Sequence, residues 1–208
     1  MTEVSINKQA RLSQHLASPS VATLGQTSEL DGSRLSPHFT LGELCKTSAI
    51  TADGNIPSHV HIENLKRLCG WLEELRRRYN KRYNPLPTSP GGGDEEPIII
   101  NSGYRSEAVN KAVGGVKGSN HLTGCAVDIR VAGIEQLVRY ATILLDISDE
   151  RQRVLAEASD QGRAGASAGM SKEDFDELLL ERSPRGTYWL HFAVRPSENR
   201  RKVRLIQT

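Results

Sequence analysis

The ten residues SNHLTGCAVD (119–128) place a His and an Asp close together, and a second unusual His, His191, lies within YWLHF. Asp128 sits inside the apolar run AVDI, where a carboxylate is costly to bury unless it is paired or holds a cation. His191 alternates with apolar residues in what reads as a late strand. Two imidazoles and a carboxylate are good zinc ligands. A catalytic zinc takes three such side chains and keeps a fourth position open. The residues alone leave another reading open: His121 capping a turn, Asp128 paired with an Arg, and His191 a satisfied core histidine. The remaining histidines lie elsewhere. His15 and His38 occur in polar sequence, and His59 and His61 stand two apart, a spacing that does not share a helix face.

The elements that must position these residues can be read from periodicity. SHVHIENLKRLCGWLEELRRRYN carries Ile62, Leu65, Leu68, Cys69, Leu72, Leu75 and Tyr79 at helical spacing, with Ser58 as N-cap. Arg76, Arg77 and Arg78 are expected in its last turn, where cations suit the helix dipole. A shorter helix is expected near SPHFTLGELC, capped by Thr40 or Ser36. PIIIN reads as a wholly apolar buried strand ending in a turn at Gly103. SEAVNKAVGG reads as a short helix capped by Ser106 and stopped by Gly114 and Gly115. AVDIRV is a strand and IEQLVRYATILLDI a second amphipathic helix. Residues 148–172 are expected to be a solvated helix and then a mobile loop. DFDELLLE and GTYWLHFAV read as strands. RKVRLIQT is expected as an edge strand guarded by its charges. Helices and strands do not alternate strictly, so the expected class is α+β, a small, largely antiparallel sheet with flanking helices.

Composition narrows the function. The chain has 208 residues, 37% of them hydrophobic, and a net charge of +2. That charge argues against a dedicated nucleic-acid binder, which would show a basic stripe. No apolar run reaches the length of about eighteen residues that suggests a transmembrane helix. The first residues lack the apolar core of a signal peptide. Cytoplasmic synthesis is expected, with any action on a cell wall following release. Cys45, Cys69 and Cys125 are expected to be reduced thiols. Residues 1–34 read as a flexible N-terminal arm and 35–208 as one domain.

SGYRS (102–106), Asn110 followed by Gly114 and Gly115, SNHLTGCAVD and YWLHF together resemble the zinc D-Ala-D-Ala carboxypeptidase and peptidoglycan endopeptidase family. Its hallmark is S-x-H-x-x-G-x-A-x-D followed by a strand with W-x-H. Ser119, His121, Gly124, Ala126, Asp128, Trp189 and His191 match it. The resemblance spans Phe39 to Val194, about three quarters of the chain. It is strongest to the short members found in phage lysis enzymes and bacterial genomes.

The resemblance implies the small α+β zinc-peptidase fold that also occurs in hedgehog signalling domains. It implies His121, Asp128 and His191 as zinc ligands, and a monomer acting on peptidoglycan or its peptide fragments. It implies Arg105 near the bound substrate, polarising the scissile carbonyl or holding a carboxylate, because its fork is always charged. Ser119 is implied either as a substrate hydrogen-bond partner or as the residue that orients His121. Asn110 holds the Gly-rich turn, and Cys125 fills a small-residue slot. Many relatives carry their general base three residues before the last His, where this chain has Tyr188. Others carry it at the end of the preceding strand in a pattern like D-Q-L-I-x-E. DELLLE then makes Glu181 the expected base and Glu177 the alternative. The loops 84–97 and 156–171 are expected to shape specificity. The missing carboxylate at position 188 also suits a second reading, a non-catalytic module that keeps zinc for stability and binds wall fragments or a protein partner.

Overall fold

The computed structural model describes residues 32–84, 95–160 and 174–207. Helix α1 is Leu41–Cys45, N-capped by Thr40, whose side chain accepts from the Glu43 N–H. Helix α2, His59–Tyr83, begins at a capping box in which Ser58 and His61 each satisfy the other's backbone N–H. Strand β1 (Ile100–Ser102) and helix α3 (Glu107–Ala112, capped by Ser106) lead to a 3₁₀ turn, Asn120–Thr123. Strand β2 is Ala126–Arg130, helix α4 Ile134–Asp160, and β3, β4 and β5 are Glu177–Arg182, Tyr188–Ala193 and Lys202–Gln207.

The five strands form one sheet in the order β1-β2-β4-β3-β5. Three pairings are antiparallel, whereas β5 runs parallel to β3, so the sheet is mixed. The parallel strand arises because the chain leaves β4 and crosses the start of β3. There the Arg201 and Lys202 N–H groups donate to the carbonyls of Phe175 and Asp176. β5 therefore takes the edge expected of it.

Helices α2 and α4 pack on one face of the sheet and on each other. The α2 stripe is buried from Leu65 to Tyr79, with Ile62 half-covered at its start. Trp71 joins it, its ring 5.4 Å from Phe192 and 6.4 Å from Phe175. Alternation along β4 sends Leu190 and Phe192 into this core and leaves Trp189, His191 and Ala193 on the opposite face.

Three local expectations are corrected. PIIIN is not buried throughout: the strand begins only at Ile100, and in the extended segment before it Ile98 is buried while Ile99 points outward and is 44% exposed. Arg76–Arg78 are not in the last turn of α2, which continues to Tyr83 through Lys81 and Arg82. They are paired with acids instead, Arg76 with Glu95, Arg77 with Glu74, and Arg78 with Glu74 and Glu150. Finally, the second amphipathic helix and the solvated helix expected after it are one continuous element, α4, which runs to Asp160. The arm up to residue 31 and most of both expected specificity loops (85–94 and 161–173) lie outside the described residues. No described helix is long and apolar enough to cross a membrane.

Candidate metal centre and active site

A single row across the sheet builds the site. Ser102 on β1 pairs with Asp128 on β2, Asp128 with His191 on β4, and His191 with Leu179 on β3. Residues directly opposite each other share a face, so these side chains project away from the helical core. The 3₁₀ turn brings His121 over the same row. Its ring lies edge-on to that of His191, with centroids 5.0 Å apart.

The turn is held to tight tolerances. Ser119 accepts the His121 N–H at 3.3 Å. Gly124 closes the turn at φ +69°, and a Cβ there would lie 2.7 Å from the His61 carbonyl oxygen, so the conformation and the space both require glycine. Asn64 of α2 donates to the Thr123 carbonyl at 2.9 Å. Gly103 approaches α1 so closely that a Cβ would sit 2.2 Å from the Leu44 carbonyl oxygen. That approach leaves the Gly103 carbonyl facing His121 Nδ1 at 2.7 Å. A carbonyl can only accept, so Nδ1 donates to it, which turns the other ring nitrogen, Nε2, toward Asp128.

The three donors converge. One ligand atom from each of His121, Asp128 and His191 lies within 4.8 Å of the others. His121 Nε2 is 3.3 Å and His191 Nδ1 2.9 Å from the same Asp128 oxygen, Oδ1. Tetrahedral zinc with bonds of about 2.0–2.1 Å sets its ligand atoms roughly 3.3 Å apart, so the trio fits such an ion. Both histidines are buried. Burial opposes ionisation of Asp128, but its bonds to His121 and His191 prevail and hold its carboxyl well below the usual range. Burial likewise opposes the charge on His191. Asp128 and Glu177 outweigh it and raise the imidazole to about 9.

The other oxygen of Asp128 accepts from Arg105 Nη2, and Arg105 Nε donates to Ser102 at 2.8 Å. Arg105 thus braces a candidate ligand directly, a bond that the Asp128–Arg reading had anticipated. Asn55 fixes the backbone on both sides of it. Its amide donates to the carbonyls of Cys45 and Tyr104, and its oxygen accepts the Ser106 N–H at 2.7 Å. Asn110, as expected, holds the Gly-rich turn through the Val116 carbonyl. Cys125 is buried, and desolvation pushes its thiol up, which suits packing.

Glu177 and Glu181 share the site face with His191. Glu177 Oε1 lies 2.7 Å from Lys202 Nζ and 3.1 Å from Arg200 Nη2. With His191 and Lys202 pulling against burial, its carboxyl is held far below its ordinary value. Glu181 differs. Burial pushes its carboxyl up against the pull of His191, and the charge of Asp128 adds to the rise. Tyr188 is on the opposite face from His191, partly buried against the core, so a carboxylate three residues before the last ligand would point away from the site in this strand.

Residues 92–145 match the family model described as Peptidase M15. This match supports a zinc metallopeptidase. It contains Arg105, Ser119, His121 and Asp128, while His191 and both glutamates lie beyond it. No curated protein matches the chain.

Several contributors were not identified from sequence: Gly103 through its carbonyl, Asn55, Asn120, Asp176, Arg200 and Lys202. Asp176 was detectable in principle, as an acid at the mouth of an apolar strand. It is fully buried, held by Arg200 at 2.7 Å and Asn120 at 2.8 Å.

Proposed function

We propose that this chain is a zinc-dependent peptidase acting on peptidoglycan stem peptides, of the D-Ala-D-Ala carboxypeptidase or endopeptidase type, with the fold seen also in hedgehog domains. The observation that carries this reading is the convergence of His121, Asp128 and His191 within 4.8 Å, beside a half-buried carboxylate, Glu181, that is not ion-paired among the described residues. His121 Nε2, Asp128 Oδ1 and His191 Nδ1 would hold the ion, whose contribution is that of a Lewis acid.

The protein's own groups supply the rest. Glu181, raised toward the working pH, accepts the proton of the attacking water and returns it to the leaving amine nitrogen. Arg105 fixes the orientation of Asp128, and its remaining N–H groups offer a place for a substrate carbonyl or carboxylate. Ser119 serves by capping the turn that carries His121. The residues work as a monomer, without nucleic acid.

Purified peptidoglycan incubated with the protein, with and without a chelator, tests this by mass spectrometry. Chelator-sensitive fragments are expected, and their masses name the bond. Zinc-loaded protein that releases nothing from peptidoglycan or from D-Ala-D-Ala peptides would instead establish the non-catalytic zinc module.

A further inference from the structure

We propose that Glu177 is a positioning residue for His191, and that the C-terminal strand supplies the charge that keeps it in place. This rests on the reading of His121, Asp128 and His191 as a metal site. The His191 ring turns Nδ1 toward Asp128 and the other donors. Its far nitrogen, Nε2, faces Glu177 Oε2 at 3.7 Å, within ion-pair reach but longer than a hydrogen bond. A small tilt of either side chain closes it. Histidine ligands commonly give their second N–H to a carboxylate, which fixes the tautomer and the ring plane and makes the ligand more basic.

The two oxygens of Glu177 divide the work. Oε1 takes both cations, Lys202 from β5 and Arg200 from the preceding turn. Oε2 is left to Asn120 Nδ2, at 3.1 Å, and to His191. The same Asn120 amide reaches the buried Asp176, which Arg200 also grips. Asn120 directly precedes His121, so one connected set of bonds braces the turn bearing the first histidine and the strand bearing the last.

A salt bridge that served only to fasten β5 would need one oxygen and no aim at Nε2. The cations have a further use. Two carboxylates, Asp128 and Glu177, flank one imidazole, and without Lys202 and Arg200 their like charges would oppose each other at a half-dry site.

The test compares wild type with Glu177→Ala and Glu177→Gln. Zinc affinity is measured by chelator competition, and the zinc-loaded, histidine-labelled proteins are examined by NMR for the His191 Nε2–H signal. Circular dichroism of the metal-free proteins controls for folding. Glu177→Ala should weaken zinc binding by about 10–100-fold. Glu177→Gln should fall between the two, because its single amide oxygen can serve His191 or Lys202 but not both.

The Nε2–H signal should move in Glu177→Gln, a change that loss of a mere surface tie would not produce. An unmoved signal in Glu177→Gln overturns the proposal even if Glu177→Ala fails to fold. So does a folded Glu177→Ala that binds zinc as wild type does. Wild-type protein that takes up no zinc fails a different claim, the metal site itself.

Discussion

Glu177 and Glu181 project from one face of β3, on either side of Leu179, and meet opposite electrostatic surroundings. Lys202 and Arg200 grip the first. Among the described residues no Lys, Arg or His forms a salt bridge with the second, and burial raises its carboxyl. A proton acceptor for catalysis near neutral pH needs a raised carboxyl rather than a clamped one. Under the proposed function, position along one strand would separate a bracing role for Glu177 from a catalytic one for Glu181.

Glu181→Gln is accordingly expected to lower peptide hydrolysis by at least about a hundredfold. Its zinc content, measured by elemental analysis, should equal that of wild type, since Glu181 is not among the converging donors. Unchanged hydrolysis removes Glu181 from the mechanism.

His121→Ala, Asp128→Asn and His191→Ala should each fail to retain zinc through gel filtration, while wild type carries one ion per chain. The asymmetry to look for is in Asp128→Asn. It removes a charge on which Arg105 and both histidines depend, so it should also lower the thermal midpoint of the metal-free protein. A His121→Ala protein that keeps a full complement of zinc contradicts the ligand assignment.

Gly124→Ala is expected to destabilise the fold by about 2 kcal/mol or more, read as a shift in the urea midpoint. The alanine must adopt φ +69° and push against the His61 carbonyl. The strain falls on the turn carrying His121, so zinc affinity should fall with stability. Gly118, whose Cβ would meet nothing within 4 Å, is the control and should tolerate alanine.

Acid sensitivity should trace in part to Glu74. Bonding to Arg77 and then Arg78 lowers its carboxyl from 4.5 to about 2, against the opposing effect of burial. A depressed carboxyl contributes stability above its unfolded value, and the contribution disappears as pH falls from about 4.5 toward 2. The side chain is partly solvated, so the effect is of order 0.5 kcal/mol. Urea titrations should show Glu74→Gln less stable than wild type at pH 7, with the gap closing near pH 2. A gap independent of pH assigns the loss to packing.

Much of this site was legible because chemistry and periodicity agreed. An Asp within AVDI and a His within YWLHF break an apolar alternation, and the sheet places both at the same register position. The α2 stripe, the Ser58, Thr40 and Ser106 caps and the edge position of β5 follow from local rules that tertiary packing did not override. The elements misjudged are those whose ends or pairings depend on distant partners. α4 extends through a charged stretch that also carries the Glu150–Arg78 and Asp149–Arg201 ion pairs. The parallel pairing of β5 depends on a connection around the start of β3, which no local pattern encodes. The roles of Asn120 and Lys202 were hidden for the same reason. Each is an ordinary polar residue until the fold sets it beside Glu177.

The register that joins Asp128 to His191 links residues 63 apart in the chain. The segment bearing His121 and Asp128 is local, and a partly folded chain could offer at most those two donors. The third arrives only when β4 has docked against β2, a non-local pairing of the kind that slows folding. Metal capture in a refolding experiment should therefore follow the kinetics of sheet closure rather than of helix formation. A zinc-sensitive dye would act as a clock for the last long-range step of assembly.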